Sequence, residues 1–182
     1  MYWILFVMAA IVAVIAALLV GGLVTPREHL VARSVRLSVP AQTVWESIRD
    51  VARYADWREE LESVDVLEPE DGLARWREIS TRRTITFGAS VDEPMHRFVA
   101  RMLDEDLPFT GEWRWTVQPD GAGTRVTLAE CGQVGNPALR FIATHLIGHT
   151  KSIDRCLRDL ARRHQQAGAT IEDATPEELT RR

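Results

Sequence analysis

Hydrophobic and polar positions change register several times along this chain, and each change marks an element. From Tyr2 to Val24 no residue is charged and most are Ile, Leu, Val, Ala or Phe. A run without a polar face is the pattern of a helix in an apolar medium, not of one lying on a core. At 1.5 Å per residue it reaches about 35 Å, enough for a hydrocarbon core of about 30 Å. No Lys or Arg precedes it and no small-residue cleavage motif follows, so it reads as an uncleaved membrane anchor, not a signal peptide. After Thr25-Pro26 the pattern alternates: Val31, Val35, Leu37 and Val39 share one strand face opposite Arg36 and Ser38. Pro40 ends that strand and suits the first turn of a helix, in which Val44, Ile48 and Val51 share a face. Tyr54 and Trp57 follow in a second short helix or turn.

The middle of the chain alternates again. Leu61–Leu67, Leu73–Ser80, Thr84–Val91 and Arg97–Leu103 read as strands, separated by polar or proline-containing breaks. Gly111–Val117 and Thr124–Gln133 are two more, joined through Pro119-Asp-Gly-Ala-Gly123. Beyond Asn136-Pro137 the period becomes helical for about thirty residues, or roughly 45 Å. Leu139, Ile142, Leu146, His149, Ile153, Leu157 and Leu160 fall on one stripe, with Lys151, Asp154, Arg155, Arg158 and Asp159 opposite. Hairpin-length connections imply antiparallel pairing and exclude a doubly wound parallel sheet. The predicted class is therefore α+β, a curved antiparallel sheet wrapped around a long C-terminal helix and preceded by one transmembrane helix. The expected organisation is an anchor over 1–25, a linker over 26–29, one domain over 30–166 and a disordered tail over 167–182. Thr175-Pro-Glu-Glu178 resembles a helix start with too little behind it to be stable.

Charge adds orientation and exclusions. The net charge is −4, which gives no reason to expect a nucleic-acid partner. Arg27, Arg33 and Arg36 follow the apolar run and nothing basic but the terminal amine precedes it, which places the soluble domain on the cytoplasmic side of a single-pass inner-membrane protein. Two cysteines, Cys131 and Cys156, lack paired-motif spacing, so no disulfide framework is expected.

Three sets of residues could carry chemistry. His145 and His149 lie four apart, but the Glu of H-E-x-x-H and a third ligand are missing, so no metal or other cofactor is expected. His149 is either a hydrogen-bonded histidine at the core margin or a polar group pointing into a cavity. Strict alternation puts Glu130 on the inward face with Val126 and Leu128, where it would need a partner such as His149 or an Arg. A bulge near Cys131-Gly132 would instead turn it outward. Trp113 and Trp115 share a strand face, and Trp57, Trp76, Phe87, Phe98, Phe109 and Phe141 could line the same interior. Phosphate loops, G-x-S-x-G elbows and Cys–His nucleophile pairs are absent from the sequence.

The order of elements from Val31 to Gln166 resembles the START-like (SRPBCC), helix-grip domains, in particular the bacterial polyketide cyclase/dehydrase and lipid-transport group. The resemblance is carried by Pro40-Ala-Gln-Thr-Val-Trp45, Asp50 through Tyr54 to Trp57, Gly111-Glu-Trp-Arg-Trp115, Gly123-Thr-Arg-Val-Thr-Leu128 and the helix after Asn136-Pro137. It implies an apolar cavity between sheet and C-terminal helix that takes lipids, polyketides or isoprenoid-like molecules, and it transfers no catalytic motif. The expected function is membrane-tethered binding or transport of such a molecule. The alternatives are a cyclase/dehydratase-type enzyme with Glu130 and His149 as acid and base, or a ligand-sensing scaffold. Expected ligand contacts are Trp57, Trp76, Phe98, Phe109, Trp113, Trp115, Glu130, Ile142, Leu146 and His149.

Overall fold

A computed structural model describes residues 2–174. Helix α1 (Tyr2–Val24) leads into strand β1 (Glu28–Leu37), helix α2 (Ala41–Arg49) and a 3-10 turn over Val51–Asp56. Strands β2 (Ser63–Glu70), β3 (Leu73–Ile79), β4 (Thr84–Glu93), β5 (Arg97–Met102), β6 (Phe109–Asp120) and β7 (Gly123–Val134) follow. The described residues end with α3 (Pro137–Ile142), a π-helical turn (Ala143–Ile147), α4 (Lys151–Arg163) and β8 (Ile171–Asp173). All pairings are antiparallel, in the spatial order β2-β3-β4-β5-β6-β7-β1-β8. This is the helix-grip α+β architecture expected from the pattern, with the apolar helix in front of it.

The alternation read from sequence is the register of the sheet. β6 and β7 pair from Phe109 opposite Val134 to Asp120 opposite Gly123, around a turn in which Gly121 takes φ 62. Trp115 and Val117 of β6 and Val126 and Leu128 of β7 are therefore buried on one face. α2 buries Val44, Trp45 and Ile48, and α4 buries Ile153, Cys156, Leu157 and Leu160. These side chains join Trp76, Phe98 and Trp115 in one core cluster. Trp76 stacks on Phe87 and on Phe98 at 5.7 and 6.1 Å. Burying each of the large aliphatic side chains contributes about 1.5–3 kcal/mol. The opposite side of α4 carries Arg155 and Arg162, which pair with Glu60 and Glu59, whereas Asp159, expected on that side, is buried, accepting from the Glu59 N–H and pairing with Arg162.

The C-terminal helix is not continuous. α3 starts on a built cap, with Asn136 Oδ1 accepting from the Leu139 N–H at 3.1 Å and Pro137 in the first turn. The ladder then slips to π spacing, closed by Gly148 N–H donating to Ala143 O at 2.9 Å. Gly148 adopts φ 79 and ψ 148, and a new helix begins at Lys151. The reason is a division of labour: α4 packs on the sheet, whereas α3 packs on the end of α1. Periodicity alone cannot report this break, because both segments keep apolar positions at helical spacing.

The tail also departs from expectation. Ile171–Asp173 pairs with β1 as the outermost strand, Val35 opposite Ile171 and Arg33 opposite Asp173. The helix start expected at Thr175–Glu178 lies outside the described residues. Both cysteines are free.

α1 is freely exposed along most of its length and is long and apolar enough to cross a membrane. The exceptions lie near its end: Leu18, Gly21, Gly22 and, just beyond, Thr25. They recur at i, i+3, i+4 and i+7, one helical face, and that face receives α3.

Candidate functional site

Helix α1 ends against a knot of polar groups built from β1, β7 and the segment after Asn136. Arg140 is 4 % exposed and donates only to backbone carbonyls. Its Nε reaches Val134 O at 3.0 Å and its Nη2 reaches Gly135 O at 2.9 Å. Its Nη1 reaches Gly22 O at 3.0 Å and Thr25 O at 3.1 Å. The guanidinium thus satisfies carbonyls that a helix end leaves open, at the negative end of the α1 dipole. Close approach makes this possible. A Cβ on Gly22 would lie 1.8 Å from Pro137 O, and one on Gly21 would lie 2.6 Å from the Phe141 ring.

Next to this junction a cleft of about 160 Å³ is lined by Thr25, Pro26, Arg27, Glu28, His29, Val134, Arg140, Thr144 and His149. Three of its lining residues, His29, Thr144 and His149, belong to a polar cluster that extends behind the cleft. His29 Nε2 lies 3.2 Å from Glu130 Oε1. Glu130 Oε2 accepts from Ser152 Oγ at 2.7 Å and from Trp113 Nε1 at 3.2 Å. The His149 ring stacks on His29 with centroids 3.7 Å apart, and its Nε2 lies 3.2 Å from Thr144 Oγ1. Gly132 makes room, since a Cβ there would be 2.2 Å from His29 Cε1. The ring of His29 lies directly over the β7 backbone.

Electrostatics follow from these contacts. Burial pushes the Glu130 carboxyl up, but hydrogen bonds from His29, Ser152 and Trp113 and the His29 charge outweigh it and hold it below the usual carboxylate range. His149 is lowered, first by burial and then by His29, with Glu130 pulling the other way. The cluster therefore holds a carboxylate and a neutral-leaning imidazole beside a cleft. Among the described residues, no group of three or more His, Cys, Asp or Glu side chains is placed to hold a metal ion.

The residues singled out from sequence divide into three groups. Glu130, Trp113 and His149 meet at the cluster, and Glu130 points inward, so no bulge turns it out. Its partner is His29, with His149 stacked behind, not His149 or an Arg. Trp76, Trp115, Phe98 and Trp57 are buried within the core cluster, packed among themselves and with α4. Ile142 is half-buried, Phe109 lies under the Arg83 guanidinium at 5.2 Å, and Leu146 is 70 % exposed, outside the core. The π turn and the break at Gly148 rotate Leu146 out of the stripe that a continuous helix would have kept.

Three groups were missed from sequence. His29 sits at the start of β1, where only the strand register reveals that it faces Gly132. Arg140 carries no signal in the sequence, because its partners are backbone carbonyls. Arg58 is 4 % exposed, donating from Nη1 to Glu78 at 2.7 Å and from Nη2 to Glu60 at 2.5 Å, with its guanidinium 5.0 Å from the centre of the Trp113 ring. Glu78 also accepts from Trp76 Nε1 at 3.1 Å. The even spacing of Trp76 and Glu78 on β3 was the available signal, since strict alternation turns both inward.

The model of the family described as polyketide cyclase / dehydrase and lipid transport matches residues 28–165. The chain belongs to this family. Its domain is similar to the di-domain ARO/CYC protein BexL of the BE-7585A biosynthetic pathway, at 22 % identity and a TM-score of 0.59 over 76 % of this chain. That match spans 50 % of BexL, so the chain accounts for about half the length of that protein. A START superfamily protein from Mycobacterium smegmatis is 18 % identical with a TM-score of 0.58, covering 76 % of this chain and 98 % of that one. The Zhui aromatase/cyclase from Streptomyces sp. R1128 is 21 % identical with a TM-score of 0.52, covering 78 % and 88 %. At these identities the likeness carries the fold of the family member. No curated protein sequence matches the chain.

Proposed function

We propose that this family member binds a hydrophobic or amphiphilic small molecule while tethered to a membrane by α1, with the domain on the cytoplasmic side. The observation that carries the reading is the position of the cleft, which opens where the apolar helix ends. Family membership supports a hydrophobic ligand, and the chemistry of the cleft supports one with a polar end. Ligand pockets usually enclose about 300–1,000 Å³, whereas this cleft measures about 160 Å³. It therefore takes the polar end of the ligand, against His29, His149 and Thr144, and leaves the apolar remainder towards the bilayer. Native mass spectrometry of the full chain released from lipid nanodiscs tests this. One retained apolar adduct, lost on His149→Ala with the fold intact, is the expected result. A folded chain that retains nothing from a total lipid extract would overturn it.

A second reading rests on a different observation, the Ser152–Glu130–His29 hydrogen-bond chain. In this reading the chain serves as an acid–base pair for a ligand held in the cleft, suited to a cyclase- or dehydratase-type proton transfer. Turnover of the retained molecule that disappears in Glu130→Gln, without loss of the adduct, would favour this enzyme. Retention without any turnover leaves binding as the function.

A further inference from the structure

The segment between the sheet and α4 has an outer face that the domain itself does not cover. From Pro137 to Thr150 the only fixed charge is Arg140, and its guanidinium is buried under four carbonyls. Leu139 is 43 % exposed and Leu146 is 70 % exposed. Phe141 packs its ring on Gly21, with His145 against it at 4.6 Å. What this face meets is decided by its direction relative to α1. Pro137 lies against Gly22 and Phe141 against Gly21, so α3 starts near the end of the apolar helix and stays alongside its last turns. Gly21 lies three residues before the end of α1 at Val24, or about 5 Å inside it. Interfacial helices bury their apolar face about 5–10 Å into the boundary between headgroups and acyl chains. α3 is therefore held at that depth by a contact already present in the fold.

We propose that Pro137–Ile147 is an interfacial wedge, with Leu139 and Leu146 covered by lipid and the His29–His149 cleft opening at the membrane surface behind it. The proposal rests on the reading of α1 as a membrane span and deepens it. The same element that touches lipid also supplies Arg140 and Thr144 to the cleft, so ligand passes between bilayer and cleft along the wedge without crossing bulk water. The backbone tolerates this location because the π turn keeps its hydrogen bonds internal, Gly148 N–H to Ala143 O included.

The test uses the full chain in phosphatidylcholine vesicles, with Cys131→Ser and the buried Cys156 retained. An environment-sensitive NBD probe is attached at Leu146→Cys, at Val12→Cys in the middle of α1, or at Val66→Cys on the far sheet edge. Val66 is an apolar residue 60 % exposed and so controls for non-specific adsorption. Lipids carrying a nitroxide near the headgroup should remove about half the emission of the Leu146 probe, as expected for a group within ~5–10 Å of the surface, and leave the Val66 probe bright. The Val12 probe should instead respond to a nitroxide deep in the chain. A Val12 probe that is quenched beside a Leu146 probe that is not overturns the wedge alone. The same holds if the Leu146 probe is shielded from aqueous iodide yet untouched by nitroxide lipid, because the face is then covered by protein. If the Val12 probe is unquenched as well, the membrane span fails and the wedge fails with it.

Discussion

The imidazole of His149 lies flat on that of His29, centroid to centroid at 3.7 Å with the planes 19° apart. One ring comes from the first strand of the domain and the other from the break before its last helix. The contact therefore closes the sheet against the C-terminal segment at the foot of α1. Two imidazoles at this distance resist carrying charge together, and Glu130 is bonded to only one of them.

That asymmetry sets a pH dependence. His149 has its pKa lowered in the folded state, so the unfolded chain takes up the proton first and stability falls as pH drops. The contribution is complete above the ordinary histidine value of about 6.5 and is lost as pH falls through the folded value below it. His164, lowered by burial and then by Arg163, adds to the same window. Glu130, also lowered, contributes above the ordinary carboxylate range and loses that contribution at still more acid pH. Urea midpoints between pH 2 and pH 8 should thus decline in two stages, the lower one below the ordinary carboxylate range. His149→Gln should flatten the upper stage and Glu130→Gln the lower one. An unchanged upper slope in a His149→Gln, His164→Gln double variant would contradict the assignment.

Docking of α1 makes a second prediction. Gly22→Val places a side chain where Pro137 O already lies, and overpacking of this kind costs about 1–3 kcal/mol. The domain core is remote from the contact, so the sheet should remain folded while α1 separates from α3. Proteolysis between Thr25 and Glu28 should speed up at least several-fold in Gly22→Val with little change in the circular dichroism of the domain. Equal proteolysis rates in the two chains would mean that α1 is not held there.

What could be read from the sequence differs between the sheet and the site. β6 and β7 alternate through a single register, so the facing of Trp113, Trp115, Val126 and Leu128 followed from counting by two. Glu130 was legible in the same way, once no bulge interrupts its strand. The break at Gly148 was not legible, since Leu139, Ile142 and Leu146 continue the stripe of Ile153 and Leu157 and only the packing of α3 on α1 separates them. His29 and Arg140 were hidden for a related reason. Each bonds to elements more than a hundred residues away, to Glu130 in one case and to Gly22 and Thr25 in the other. Long-range partners of this kind leave no local period.

A third prediction concerns the buried ion pair. Glu78→Gln removes the negative partner of an Arg58 that is almost fully enclosed, and breaking a buried pair from one side typically costs about 3–5 kcal/mol. Glu60, closer to solvent, compensates in part, so the loss should fall at the lower end of that range. Replacing both partners, as Arg58→Met with Glu78→Gln, leaves no uncompensated charge and should recover part of the stability. Chemical denaturation of the single and double variants measures this coupling directly. A double variant less stable than Glu78→Gln would show that the Arg58 contacts to Tyr54 and Trp113 outweigh its charge pairing.

The turn at Gly148 supports a final prediction, and it separates two kinds of glycine requirement. Gly148 combines φ 79 with ψ 148, which is the region open essentially to glycine alone, not the left-handed helical region that Asn also visits. Nothing lies within 4 Å of a Cβ built there, so any penalty is conformational and not steric crowding by neighbours. Gly148→Ala should cost about 1–3 kcal/mol, and Gly148→Asn should cost about as much, since its side chain relieves only the left-handed helical conformation. The relief available to either variant is to let α3 run on into α4 as a single helix. That would draw α3 off α1, separate His149 from His29, and expose Arg140. Both variants should therefore show the faster proteolysis near Thr25 expected of Gly22→Val, together with a flatter stability profile near pH 6. A Gly148→Asn chain as stable as the parent would instead place this turn in the left-handed helical region and remove the reason for the break.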